Sequence, residues 1–264
     1  MTALRSALGC LDRAIGRGSY HWLRCWLDPG REYTQIHYAR TLRQLVTPGT
    51  RWLDGGCGHL VSSVWPNNDE RTVVDGAKLA VGCDAYFPAL VRHRSLERRV
   101  ASTLQALPFR PRSFNLITLN MVVEHFDNPE RVFTEIARVL DAGGRVFIHT
   151  PNAASYFVFL IRVGRRLLPA AVVSCLIKYL EGREPEDVFL THYRANTRAT
   201  LRRLARDSGL EEEQTVVLLD RPLFYFFLPL SLVELVATRL LERLGLREIA
   251  GNTILGIYRR PHQT

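Results

Sequence analysis

Lysine is almost missing from this chain. Of its 35 basic residues only Lys78 and Lys178 are lysines, and the rest are arginines scattered along the sequence in short pairs such as Arg202–Arg203. The net charge of +9 therefore forms no single basic stripe of the kind that tracks a nucleic-acid backbone. Cysteine is also scarce: Cys10, Cys25, Cys57, Cys83 and Cys175 make an odd count with no CxxC spacing. Neither a disulfide framework nor a zinc site is implied, and a reducing cytoplasm is the simplest compartment. Long apolar runs are absent too. The apolar charge-free stretches Leu167–Ile177 and Pro222–Val233 are well short of the roughly 18–20 residues that cross a bilayer. Arg5, Asp12, Arg13 and Arg17 interrupt any secretory apolar core near Met1. No repeat or low-complexity tract occurs.

What is present is an alternation of short apolar strands with turns and helical segments. Strands are predicted over Arg51–Asp54, Leu79–Cys83, Arg99–Ser102, Phe114–Leu119 and Arg145–His149, and later over Thr215–Leu219 and Thr253–Tyr258. Helices are predicted over Tyr33–Val46, over Asn128–Leu140 from the spacing of Val132, Phe133, Ile136 and Leu140, and over Thr197–Ser208 with Gly209 as its stop. Asp141–Gly144 is predicted as a turn. The alternation implies a doubly wound α/β sheet with right-handed crossovers. With no linker in view, residues 1–264 are expected to form one domain. Residues 1–50 make a helical N-terminal cover and 51–152 the sheet core. Residues 153–196 form one helical insertion, broken near Gly164 and Pro169, and 197–264 complete the sheet around a second apolar insertion at 222–246.

The first strand runs into Asp54–Gly55–Gly56–Cys57–Gly58, a turn whose glycines let the backbone approach a ligand closely. The second strand ends at Asp84. In a doubly wound sheet that carboxylate lies across the crevice, within reach of two ribose hydroxyls. His59, Leu60 and Val61 follow Gly58, so the pyrophosphate pattern GxGxxG is not completed, and no Walker lysine follows.

Taken in order, WLDGGCG (52–58), VGCDAY (81–86), LPF (107–109), FNLITLNMVVEHF (114–126) and EIARVLDAGGRVFIHTPN (135–152) resemble class I S-adenosylmethionine-dependent methyltransferases of the type 11 branch. The resemblance covers about residues 50–152. It implies a Rossmann-like seven-stranded sheet whose last strand is antiparallel, and S-adenosylmethionine as cofactor. By resemblance, Asp54, Gly56 and Gly58 surround the methionine part of the cofactor and Asp84 holds the ribose. Thr103 and Leu104 flank the adenine, and Asn120 and Met121 line the floor. Leu60 stands where the family usually has a third glycine, Thr103 where many relatives have Asp, and Ala142 where Pro is usual.

Methyl transfer from a sulfonium needs mainly alignment and exclusion of water, with a base when the nucleophile is a hydroxyl. His125, just after the fourth strand, is the candidate base; its pair with Glu124 equally suits a loop anchor. His192, Tyr193 and Arg194 form a second constellation before a helix that Asn196 or Thr197 caps. Asn120–Met121–Val122–Val123 is not the Asn/Asp-Pro-Pro-aromatic tetrad that holds a flipped base, so a nucleic-acid acceptor is not expected. The expected reaction is O-methylation of a small-molecule, sugar or lipid-linked acceptor. A non-catalytic binding protein on the same fold is the second expectation. The two insertions place aromatics beside arginines, which suits a lid over an apolar acceptor or contact with a membrane surface. A cytoplasmic, membrane-associated location follows as an expectation. The sequence does not specify an oligomeric state.

Overall fold

A computed structural model of the chain describes residues 31–167, 190–220, 222, 224 and 228–262. The expectations for the N-terminal cover before Arg31, for residues 168–189 and for the aromatic run at 225–227 fall outside the described residues, as do Cys10, Cys25 and Cys175. In chain order the elements are α1 (Thr34–Leu45), β1 (Arg51–Gly55), α2 (Asn67–Asp75), β2 (Leu79–Asp84), α3 (Phe87–Val91), β3 (Arg98–Ala101) and β4 (Phe114–Asn120). There follow α4 (Pro129–Val139), β5 (Leu140–Pro151), α5 (Tyr156–Leu167), α6 (Arg198–Asp207), β6 (Glu211–Leu218), α7 (Leu228–Arg243), α8 (Arg247–Ala250) and β7 (Thr253–Arg259).

The strands form one seven-stranded sheet in the order β3-β2-β1-β4-β5-β7-β6. β1 pairs in parallel with β2 and β4, and β7 runs antiparallel to both β5 and β6. Side chains on successive strand residues point to opposite faces, and the two cores divide accordingly. Leu53, Ile117, Val146 and Ile148 join Phe133 and Ile136 of α4 and Leu201 and Leu204 of α6 on one face. Trp52, Leu116 and Phe147 join Tyr38 and Leu42 of α1 and Val73 and Val74 of α2 on the other. Burial on both faces is why the central strands read as near-continuous apolar runs.

The helix termini follow their capping residues. Asn128 accepts from the Arg131 amide at 3.1 Å with Pro129 in the first turn of α4. Thr197, not Asn196, caps α6 by accepting from the Thr200 amide at 3.1 Å. Gly209, at φ 76, ends that helix as predicted.

Two expectations are corrected. Asp141–Gly144 is not a turn between elements: β5 begins at Leu140, and this stretch is an irregularity within it, between the pairs Phe114↔Leu140 and Leu116↔Arg145. Gly143, at φ 74, and Gly144 bond to the Arg260 backbone, which keeps the excursion within the sheet. Gly164 does not break its helix, since α5 runs through it to Leu167. A glycine inside a helix costs only about 1 kcal/mol relative to alanine. The sequence reading assigned no element to α2 or α3, whose short polar or proline-containing sequences carry little periodicity.

Several of the arginines are held by neighbouring acids. Arg198 and Arg202 of α6 reach Glu212, Arg203 reaches Glu130, and Arg145 reaches Glu213. α7 is inverted relative to an ordinary surface helix. It buries Ser231, Glu234, Leu235 and Thr238 and exposes Leu230, Leu232, Val233, Val236 and Leu240. The buried polar groups are satisfied from neighbouring segments. Tyr156 of α5 donates to Glu234 at 2.5 Å, Arg31 donates to Thr238 at 2.8 Å, and Ser231 donates to the Phe224 carbonyl at 2.6 Å. On α5, Phe159 and Leu167 are exposed as well. Among the described residues, no helix is long and apolar enough to cross a membrane.

Candidate active site

β1, β2 and β4 end at one edge of the sheet, and their C-terminal tips bring the sequence-predicted residues together. Ligands in open α/β sheets sit outside the carboxyl ends of the strands. The turn after β1 is held against β2: the Gly56 and Cys57 amides both donate to the Cys83 carbonyl, at 2.7 and 3.3 Å. Gly56 adopts φ 68 and lies so close to Val122 that an added Cβ would come within 2.3 Å of its Cγ2. Gly58, at φ 54, has nothing within 4 Å of the same position. One glycine is thus required by packing, and the other leaves open space beside the turn.

Asp84 closes the opposite side. Its Oδ2 accepts from the Gly58 amide at 2.8 Å and its Oδ1 from the Tyr86 amide at 2.7 Å. An ionised carboxylate has about four lone-pair sites, so two ribose hydroxyls can still be accepted. Leu104 stands over the same crevice, its Cδ2 3.0 Å from where a Cβ on Gly55 would be. Thr103 is exposed beside it, its carbonyl accepting from the Ala106 amide at 3.2 Å.

Asp54 lies beneath the turn. It is 3 % exposed and its Oδ1 accepts from the Thr118 hydroxyl at 2.5 Å, while Thr118 accepts from the Trp52 indole at 2.7 Å. Its pKa is raised from 3.8 to about 7, chiefly by burial and also by the nearby Glu70 and Asp84 charges, against the opposing Thr118 bond. The native state therefore binds this proton more tightly than the unfolded chain does. Asp54 is expected to stabilise the fold by up to about 4 kcal/mol at pH 4, a contribution lost as pH rises to about 7 and absent above it. Denaturant titration of wild type and Asp54→Asn across pH 4–8 checks this: the stability difference between them should change over that window and be flat above it.

Asn120 and Met121 occupy the tip of β4. The Asn120 amide is engaged from behind: its oxygen accepts from Gln35 at 3.0 Å and faces His149 Nδ1 at 2.8 Å, and its nitrogen donates to the Val61 carbonyl at 3.1 Å. Its side chain thus fixes the floor. Met121 takes a left-handed φ of 55, with its amide donating to the His149 carbonyl at 2.7 Å. His149 is fully buried, its pKa pushed down to about 3 by burial and then by His37, and its Nε2 lies 3.2 Å from the Thr34 hydroxyl. Sequence reasoning missed Gln35, Thr118 and His149. Each lies inside a helix or strand, where nothing in the local pattern separates it from a packing residue.

His125 sits in the short 3-10 turn Val123–His125 after β4, half-buried, with Nδ1 2.9 Å from the Leu190 carbonyl. Glu124 is 6 % exposed and acts as an anchor. Its carboxylate accepts from Thr150 at 3.0 Å, and its carbonyl accepts from the His192 and Tyr193 amides. The structure therefore joins the two histidine constellations at one place. Arg194 donates to the Asp127 carbonyl, and the Arg162 guanidinium lies 5.2 Å from the Tyr193 ring centre.

Residues 53–148 match the family model described as a methyltransferase domain. This part of the chain is a methyltransferase domain of that family. S-adenosylmethionine is the cofactor of the family, and the open space at Gly58, the Asp84 lone pairs and the apolar Leu104 fit its parts. Among relatives, the chain is 29% identical over 135 residues to a ubiquinone biosynthesis O-methyltransferase of Dechloromonas aromatica, covering 48% of this chain and 58% of that one. It is 25% identical over 206 residues to the protein of the same name from Thiobacillus denitrificans, covering 75% and 83%. Its fold is similar to that of geranyl diphosphate C-methyltransferase from Streptomyces coelicolor A3(2), crystallised with S-adenosyl-L-homocysteine. The TM-score is 0.52 at 15% identity over 85% of this chain and 77% of that one.

Proposed function

We propose that this methyltransferase transfers a methyl group from S-adenosylmethionine to a hydroxyl of a small, lipid-like acceptor. The observation that carries the reading is the Gly56–Gly58 turn facing Asp84 at the tips of β1 and β2, with Leu104 alongside. In this reading Asp54, Gly56 and Gly58 enclose the methionine part, Asp84 accepts the ribose hydroxyls, and Thr103 and Leu104 border the adenine. Asn120 and Met121 form the floor. When bound, the cofactor supplies an activated methyl on a sulfonium, whose leaving group departs neutral. The chain's own residues then orient the acceptor, keep water out and take up its proton, which we assign to His125. Imidazole is a common side chain for such proton transfer.

The names of the relatives support oxygen as the methylated atom. The exposed apolar faces of α5 and α7, with Arg162, Arg239 and Arg243 among them, support an acceptor delivered from an anionic lipid surface. The test is transfer of labelled methyl to a long-chain alkylphenol, offered free in solution and embedded in anionic phospholipid vesicles. Transfer is expected with both and faster from vesicles. His125→Gln is expected to lower kcat by about 100-fold, with cofactor affinity retained. Near-normal turnover in the folded variant removes His125 as the base and leaves it a loop anchor. Cofactor binding without transfer to any hydroxyl favours the non-catalytic reading.

A further inference from the structure

The turn after β1 does not pass directly into a helix. The next helix, α2, starts only at Asn67, so residues 56–66 must be held in place by other means. Leu60 is part of this stretch. Its backbone is fixed at successive peptides. The Gly58 amide donates to Asp84, and the His59 carbonyl accepts from the Arg94 amide at 3.1 Å. The Val61 peptide is gripped from both sides. Its carbonyl accepts from the Asn120 amide at 3.1 Å, and its N–H donates to Glu70 Oε1 at 3.0 Å.

Glu70 is the unusual member. It lies on α2 and is fully buried, at 0 % exposure. The same Oε1 also accepts from the Ser95 hydroxyl at 2.6 Å, which ties it to the segment after α3. Oε2 is buried with no hydrogen-bond partner among the described residues. A buried carboxylate costs far more than a buried apolar side chain unless its bonds repay the desolvation. Packing alone does not call for one here. What it supplies is an acceptor for a loop amide that burial would otherwise leave unsatisfied.

We infer that Glu70 is a positioning residue for cofactor binding, clamping the Val61 backbone against Asn120 so that the 56–66 loop holds its shape beside the crevice. This rests on the reading of the crevice as the cofactor site. Glu70 acts through the loop and touches no reacting atom.

The experiment is calorimetric titration with S-adenosylmethionine of wild type, Glu70→Leu, Glu70→Gln and Ser95→Ala, each first shown to unfold cooperatively. Wild type that does not bind overturns the cofactor reading itself. Given wild-type binding, Glu70→Leu should weaken Kd at least tenfold. Glu70→Gln keeps an acceptor oxygen for Val61 and Ser95 and should stay within threefold of wild type. A steady-state assay should show the Leu variant raised in KM for the cofactor but not for the acceptor. A folded Leu variant with wild-type Kd overturns the inference, as does a Gln variant as weak as Leu. Should Leu fail to fold, Ser95→Ala decides. Weaker binding together with faster hydrogen exchange at the Val61 amide supports the clamp, and no change in both overturns it.

Discussion

Gly56→Ala is expected to destabilise the protein by about 2–5 kcal/mol and to abolish cofactor binding in whatever folded fraction remains. Two costs add. A Cβ in the left-handed region costs roughly 1–2 kcal/mol, and Gly56 sits there at φ 68. The new atom would also approach Val122 Cγ2 to 2.3 Å and Val122 Cβ to 2.8 Å. The obstacle is the root of a short branched side chain, which cannot swing aside, so the turn must shift; overpacking of this kind costs about 1–3 kcal/mol. Gly58→Ala is the control. It has a similar φ of 54 but no neighbour within 4 Å of the added Cβ, so only the conformational term of roughly 1–2 kcal/mol applies. Denaturant unfolding of both variants measures the difference. Adding Val122→Ala to Gly56→Ala should recover part of the loss, since the two positions are in contact. Equal destabilisation at the two glycines would contradict the packing described here.

Asp84→Ala is expected to weaken S-adenosylmethionine binding by about 100-fold or more. A hydrogen bond to a charged group contributes about 1.5–3 kcal/mol, and 2.7 kcal/mol corresponds to about 100-fold in Kd. The side chain has two roles. It anchors the Gly58 and Tyr86 amides, and in the proposed site it receives the ribose. Asp84→Asn separates them, because its oxygen can still accept one amide while the charge is gone. It should fold as wild type and bind with an intermediate Kd. Asp84 is only partly buried, so the Ala variant is expected to fold.

The sheet was largely legible before the structure because parallel strands buried on both faces leave continuous apolar runs. FNLITLN and RVFIHT could hardly be anything else. The ends of those runs also marked the candidate site, since the crevice of such a sheet lies at the strand tips. What stayed hidden has a common character. α2 was missed because NNDERTVVD is polar nearly throughout, and Glu70, which it buries fully, is a charged side chain that sequence patterns place on the surface. The β5 irregularity was read as a turn because Asp-Ala-Gly-Gly is turn chemistry, and only pairing with β4 and β7 keeps it in the sheet. Gln35, from α1, reaches Asn120 across 85 residues of sequence, a contact no local pattern carries. The inverted face of α7 was visible as an apolar segment beside arginines. Which side faces the protein became clear only once Tyr156 and Arg31 were seen to satisfy its polar residues.

The central claim is that the crevice between the tips of β1 and β2 binds S-adenosylmethionine. Isothermal titration of the purified protein and of Asp84→Ala with that ligand tests it most directly. A single saturable site in wild type that is lost or weakened about 100-fold in the variant is the predicted result. No binding to wild type, or the same Kd in folded Asp84→Ala, would contradict it.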